Sequence, residues 1–307
     1  MSAEPELLRA GRRVHLRVPA NTANLGPGFD SLGLAFDWLD DCLIEVLASG
    51  VQVEVTGEGS GFVPRDRSHL VIRCLDQGLA ALGAAAPGVR LVAHNTIPHT
   101  RGLGSSAAAT VAGLLAAWAL ARPEDEVDRQ WLLTESNKVE GHPDNVAAAI
   151  FGGFVLTWVD DETEPGSVHA AQGVLHPDVR LFAYVHPAPV ATKAARKALP
   201  AKVPHGDAAR NAGRAALLTH ALAVEPQLLH AATREWLHQD YRAALMPEAT
   251  ALVRSLRDRG FGAVISGAGP TVLVLTDAAK AGELDGSEAG EFRRYALDVG
   301  GPAELIG

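Results

Sequence analysis

Pro98-His99-Thr100-Arg101-Gly102-Leu103-Gly104-Ser105-Ser106-Ala107-Ala108-Ala109 stands between an apolar segment at 89–93 and an alanine- and leucine-rich run that continues to Arg122. Two glycines one residue apart let the backbone approach a ligand closely and take positive φ angles. The composition of 105–122 predicts a helix, ended by Pro123. Its first N–H groups and positive dipole end then face whatever the loop holds, while Ser105 and Ser106 add hydroxyls. Such a loop is an anion site suited to a polyphosphate. Other readings of the same residues compete with it. Ser105 could simply cap the helix, with the glycines forming a tight turn. Gly102, Gly104 and Ala107 also fit the dinucleotide fingerprint G-x-G-x-x-A. That context is wrong, because no β-branched strand follows the helix within two dozen residues. No lysine follows the glycines, which excludes a Walker A loop. A lysine-free phosphate loop for a metal–nucleotide is what these exclusions leave.

Upstream of the loop, residues 13–18 alternate apolar and polar, the mark of an amphipathic strand, and strands are also expected at 42–47, 51–56 and 89–93. Residues 68–82 carry helical spacing through Leu70, Val71, Cys74, Leu75 and Leu79. Downstream, a helix is expected at 128–139 and a strand at 154–159, followed by an acidic, polar stretch at 160–166. That stretch predicts a boundary between domains at 1–165 and 166–307. The second half predicts strands at 179–186, 263–265 and 271–276 and helices at 207–223 and 247–259. Strands and helices mix without regular alternation, so the fold class is α+β rather than doubly wound.

Bulk composition narrows the function. With 307 residues, 47% hydrophobic and 21% charged, the chain can bury two modest cores. A formal net charge of −9 argues against a nucleic-acid binder, so an anionic ligand must be held by local amides, a few cations and a metal. Two cysteines, Cys42 and Cys74, both in apolar segments, read as reduced buried thiols. Residues 1–13 mix both charges without an apolar run, and the longest apolar stretch, 107–121, is too short for a confident membrane span. The expectation is a cytoplasmic protein with small-molecule partners, and neither nucleic acid nor membrane among them.

Two further blocks change the weight of the loop. Pro19-Ala20-Asn21-Thr22-Ala23-Asn24-Leu25-Gly26-Pro27-Gly28-Phe29-Asp30 follows the first strand, and Ser266-Gly267-Ala268-Gly269-Pro270-Thr271 lies between two strands near the C-terminus. Together with the loop and in this order, the blocks resemble the superfamily of galacto-, homoserine, mevalonate and phosphomevalonate kinases. The first block is similar to its homoserine kinase branch, and the likeness runs from about Val14 to Thr276. The resemblance implies an N-terminal domain like domain 2 of ribosomal protein S5, followed by a ferredoxin-like domain, with nucleotide and substrate in the cleft between them. It implies ATP and Mg²⁺ as cofactors, phosphorylation of the L-homoserine hydroxyl, and, by analogy, a homodimer.

Carried over residue by residue, the resemblance assigns residues 98–108 to ATP, with Gly267 and Gly269 as the third, structural motif. It assigns Asn24 and Asp30 to the amino-acid substrate, whose ammonium a carboxylate pairs with. Thr192 and Arg196 in T-x-x-x-R-x-x-L-P, and Arg242 in its own motif, are implied for the substrate carboxylate, which a planar guanidinium fits. Asp30 could instead be a helix cap or an Asx-turn residue. Within Glu140-Gly141-His142-Pro143-Asp144-Asn145, Glu140 is implied as the Mg²⁺ ligand with Ser106, and Glu135 competes with it. His142 is implied as a substrate contact and Asn145 as a support for the loop. Asn145 stands where mevalonate kinases carry a basic Asp, so transfer without a dedicated protein base is implied. One departure is His69-Leu70-Val71, where the family often has Asn-Leu-Val beside the adenine.

Overall fold

The computed structural model describes residues 4–306 apart from 285, 287 and 288; the outermost residues of the two expected domains, 1–3 and 307, lie outside the described residues. After a short strand β1 (Glu6–Leu7), the first half is built on two long antiparallel strands, β2 (Arg13–Asn24) and β3 (Gly28–Leu47). The strand expected at 13–18 therefore runs on to Asn24, and the block 19–30 is the tight reversal between two strands. Register shifts at Pro19/Asn21 and Ala23/Asn24 bend this end of the pair. There Asn24, Leu25 and Asp30 all take positive φ, at 71°, 49° and 55°. Non-glycine residues hold such angles only where their surroundings over-determine them.

Next come β4 (Gly50–Gly57), α1 (Leu70–Ala81), β5 (Ala84–Ala85) and β6 (Gly88–Asn95). β4 and β6 pair in parallel, β6 joins β3, and β1 pairs with β5. The loop of 98–104 then leads into α2 (Ser105–Ala121). This helix is buried nearly all round, with Val111, Leu114, Leu115 and Leu120 at 2% exposure or less. It lies between β2 and the helices α1, α3 (Arg129–Glu140) and α4 (Asp144–Phe151). Burying each of these leucines contributes about 1.5–3 kcal/mol to the packed fold that carries the helix. Helices rather than a strand follow α2, as the rejection of a dinucleotide fold requires. A hairpin of β7 (Phe154–Asp160) and β8 (Ser167–Gln172) completes this half, β7 pairing with β3.

The second half is α+β. Its elements are β9 (Val179–Val185), α5 (Thr192–Lys197), α6 (His205–Ala223), α7 (Leu229–Ala232), α8 (Gln239–Arg242), α9 (Pro247–Asp258), β10 (Gly262–Ile265), β11 (Val272–Asp277), α10 (Ala278–Ala281) and β12 (Arg293–Leu297). The antiparallel sheet order β10-β11-β9-β12 is the split-βαβ, ferredoxin-like arrangement. Its own core gathers Tyr184, Leu256, Phe261 and Val274. Finally β13 (Glu304–Ile306) crosses back and pairs with β2.

These pairings move the expected boundary. Residues 161–166 form the turn of the β7–β8 hairpin, with Asp160 Oδ1 accepting from the amides of Glu162 and Thr163. An acidic turn has the composition of a linker without being one. We place the division after Gln172 instead of at 165/166, and assign 304–306 to the first half. Among the described residues no helix is long and apolar enough to cross a membrane.

Candidate active site

Hydrogen bonds sew the three glycine-containing blocks together. Asn21 N donates to Leu103 O at 3.1 Å, and Gly267 N to Ala23 O at 3.3 Å. Ser266 Oγ reaches both Thr22 Oγ1 (2.7 Å) and Gly102 O (2.5 Å), and Asn24 Nδ2 donates to Gly267 O at 3.2 Å. Buried polar groups of this kind must find partners or cost free energy. Here the partners lie in three distant parts of the chain. A cleft of about 130 Å³ opens where they meet.

One wall of the cleft is the loop. Gly102 and Gly104 have φ of 79° and 73°, and a Cβ at either would sit 2.2 Å from Ser266 O or 2.1 Å from Asn21 Oδ1. Both conformation and space therefore demand glycine. Gly104, in the left-handed region, is the cap position of α2, and no side chain caps the helix. Ser105 is thus not the N-cap. It lines the cleft with Ser106 and Ala107 at the positive end of the helix. Facing them, Glu140 at the end of α3 accepts from Ser106 Oγ at 2.8 Å and from Thr110 Oγ1 at 3.0 Å through the same oxygen, Oε1. One carboxylate and one hydroxyl form the hard-oxygen donor set that suits Mg²⁺, whose other ligands are phosphate and water oxygens. Glu135, the competitor, is buried, ion-paired with Lys138, and absent from the cleft lining.

The opposite wall is charged. Arg196 of α5 grips Asp30 with both guanidinium nitrogens, at 2.8 and 3.1 Å. This cross-cleft pair replaces the local turn that Asp30 could have made. Arg242 of α8 is only 3% exposed; its Nε donates to Ala195 O at 3.1 Å and its Nη1 to Gly267 O at 3.3 Å. Burial first, and then Arg196, lower its proton affinity. Phe29 lies beneath both guanidiniums, 5.9 Å from Arg196 and 5.6 Å from Arg242, and stacks on His238 at 5.2 Å. Its ring face offsets some of the repulsion between the two cations. His142 Nδ1 pairs with Asp144 Oδ1 at 3.2 Å. Burial pulls its pKa down, but the Asp144 hydrogen bond and charge outweigh it, and the net direction is up. Thr192 lines the cleft at the start of α5.

On the far side of Ser105 and Ser106 lies a second cavity, about 210 Å³ and mostly apolar, walled by Val63, Leu70, Val71 and Ala112. His69 and Asp40 line it too. Burial pushes the Asp40 pKa up from the usual 3.8 to about 6, against the opposing amides of Ile97 and Thr96. A raised carboxyl pKa stabilises the fold fully below 3.8, and that stabilisation is lost as pH rises through 6. The span corresponds to about 3 kcal/mol. Asp40→Asn should therefore gain about that much relative to the native chain between about pH 4 and about pH 7, measured by urea unfolding. Parallel pH profiles would count against it.

Some of the expected site residues are engaged by the protein itself, Asn24 and Asn145 among them while still lining the cleft. Arg101 is spent on carbonyls of His99, His186 and Pro187, tying the loop to the second half. Leu103 is fully buried, and Pro98 lines neither cavity. Asn145 Nδ2 donates to Asn21 Oδ1 at 2.8 Å, so it braces the loop through Asn21. Asn24 also accepts from Asp30 N at 3.0 Å, and both ends of its amide are engaged by protein. Gly267 lines the cleft and Gly269 packs behind it on Met246. Sequence reading missed Asn21, Thr110, Asp144 and Phe29. Thr110 left a signal, being a polar residue one turn after Ser106 in an otherwise apolar helix.

The chain is similar to known proteins along most of its length. The model of the GHMP kinases N-terminal domain matches residues 69–153, and that of the GHMP kinases C-terminal domain matches 209–285. The homoserine kinase of Streptomyces coelicolor is 47% identical over 295 residues, covering 95% of this chain and 94% of that one. That of Clavibacter michiganensis is 50% identical over 269 residues, covering 87% and 84%. A crystal structure of homoserine kinase from Cytophaga hutchinsonii superposes with a TM-score of 0.80 at 25% identity, covering 96% and 97%. Mevalonate diphosphate decarboxylase from Staphylococcus aureus shares the fold at 13% identity and a TM-score of 0.64. The chain belongs to the homoserine kinases of the GHMP kinase family.

Proposed function

We infer that this chain is an ATP:L-homoserine O-phosphotransferase, moving the γ-phosphoryl group of ATP to the side-chain hydroxyl of L-homoserine and so serving threonine synthesis. One observation carries the reading: a lysine-free phosphate loop and a zwitterion-matching set, Asp30 with Arg196 and Arg242, line the same cleft. A carboxylate can pair with the substrate ammonium and the guanidiniums with its carboxylate. Only an amino alcohol acid presents both charges beside a hydroxyl.

The loop amides and Ser105 hold the triphosphate, and the apolar cavity beyond them takes the nucleoside. Glu140 and Ser106 fit as Mg²⁺ ligands, and Mg²⁺ when bound neutralises charge on the phosphates. Thr110 keeps the Glu140 carboxylate turned toward Ser106. No basic side chain is needed at the hydroxyl. A loose phosphoryl-transfer transition state demands little bonding to the nucleophile, so positioning and electrostatics carry the rate. His142, whose proton affinity the Asp144 hydrogen bond and charge raise against the effect of burial, lines the same cleft. Buried free thiols at Cys42 and Cys74, the former pushed up to about 12 by burial, support a reducing, cytoplasmic setting.

Homoserine-dependent ADP release in a coupled assay tests the reading. Turnover of another small alcohol, with none of homoserine, would overturn it.

A further inference from the structure

The second cavity starts where the polar cleft ends, sharing Thr100, Ser105 and Ser106 with it, so a nucleotide phosphate-bound at the loop extends its base into this space. The apolar walls accept a flat ring but do not choose among bases; the polar side chains must. Of these, Asn95 is engaged with Glu58 O, and His99 packs edge-on against Phe62 at 5.8 Å. Asp40 and His69 are the polar side chains of this lining that are buried, at 8% and 6% exposure. Oδ1 of Asp40 is saturated, accepting the amides of Thr96 at 2.6 Å and Ile97 at 2.9 Å. Its other oxygen, Oδ2, makes no hydrogen bond among the described residues. His69 is 6% exposed, and its Nδ1 is buried without a partner. Burial, then His99, lower its proton affinity, so the ring is neutral. Orphaned buried N–H groups are rarer than orphaned acceptors, which puts the proton on Nε2. The cavity therefore presents one acceptor and one donor. Adenine offers the complement along one edge, a 6-amino donor beside the N1 acceptor.

We propose that Asp40 reads the nucleobase: its Oδ2 accepts a hydrogen bond from the 6-amino group of the adenine of ATP, while His69 Nε2–H faces the neighbouring ring nitrogen. The carboxylate thus has two duties, holding the entry to the phosphate loop through Thr96 and Ile97 with one oxygen and selecting the base with the other. The proposal rests on ATP being the phosphoryl donor and is independent of which alcohol accepts the phosphate.

The test is calorimetric binding of ATP, purine riboside triphosphate (lacking the 6-amino group) and inosine triphosphate (6-oxo) to the full chain with Mg²⁺. Homoserine is left out, and the pH is held near 8, where Asp40 is ionised. The native chain should bind ATP about tenfold or more tighter than the purine analogue, the size expected of a hydrogen bond to a charged group. Asp40→Asn keeps an acceptor for Thr96 and Ile97. It should shrink that ratio to about twofold or less and improve inosine triphosphate relative to ATP, because its amide donates to the 6-oxo group. Each readout is a ratio measured on one preparation, so a partly unfolded variant does not mimic it. Equal weakening of all three nucleotides by Asp40→Asn, or a native chain indifferent to the 6-amino group, overturns the proposal. A wrong acceptor alcohol would show separately, as normal ATP binding without homoserine-dependent ADP release.

Discussion

Asp30→Asn should lower kcat/KM for L-homoserine by about 10²- to 10³-fold while changing the KM for ATP by less than about threefold. In the free protein Asp30 and Arg196 satisfy each other. A zwitterion inserted between them exchanges one ion pair for two, its ammonium taking Asp30 and its carboxylate taking Arg196 with Arg242 behind. Removing the Asp30 charge deletes the ammonium partner and leaves Arg196 with a weaker anchor. Arg196→Ala and Arg242→Ala should raise the homoserine KM in the same direction. The Asp30→Asn/Arg196→Ala double variant should lose less than the sum of its singles, because both act on one network. Steady-state kinetics with each substrate varied in turn decide this. Equal effects on the two substrates would point to a collapsed cleft rather than a lost ammonium site.

The second large effect belongs to Glu140. Glu140→Gln should reduce kcat by about 10²- to 10³-fold and raise the Mg²⁺ concentration needed for half-maximal rate. The amide oxygen can still accept from Ser106 and Thr110, so the melting temperature should move little. Glu135→Gln is the control. If that variant loses turnover and Glu140→Gln does not, the metal assignment passes to Glu135, in spite of its ion pair with Lys138.

The parts of this molecule that were legible in its sequence are those governed by local rules. α2 and its loop announce themselves through alanine density, two glycines and a following Pro123. The block 19–24 does not read as a strand, because Pro-Ala-Asn-Thr-Ala-Asn lacks β-branched alternation. Its extension is imposed from outside, by pairing with β3 and by bonds to Leu103, Ser266 and Gly267. Tertiary partners overrode propensity there. The same holds for β13, three residues whose partners sit near the other end of the chain. Motif adjacency misled the reading of Arg101. A basic residue inside a phosphate loop looks like a ligand group, yet carbonyls of a distant segment capture it. Asp40 was silent because its role depends on a cavity that forms only when β3 and α1 flank the loop.

The most direct test of the central claim, a phosphate loop beside a site for a zwitterion, is ADP release with stripped substrates. The comparison sets L-homoserine against 3-aminopropan-1-ol, which lacks the carboxylate, and 4-hydroxybutyrate, which lacks the ammonium. Each truncation should lower kcat/KM by about 10²-fold or more, since it leaves a charge of the cleft without its substrate partner. If either analogue were turned over as well as homoserine, Asp30, Arg196 and Arg242 would not be the substrate's partners, and this account of the cleft would be wrong.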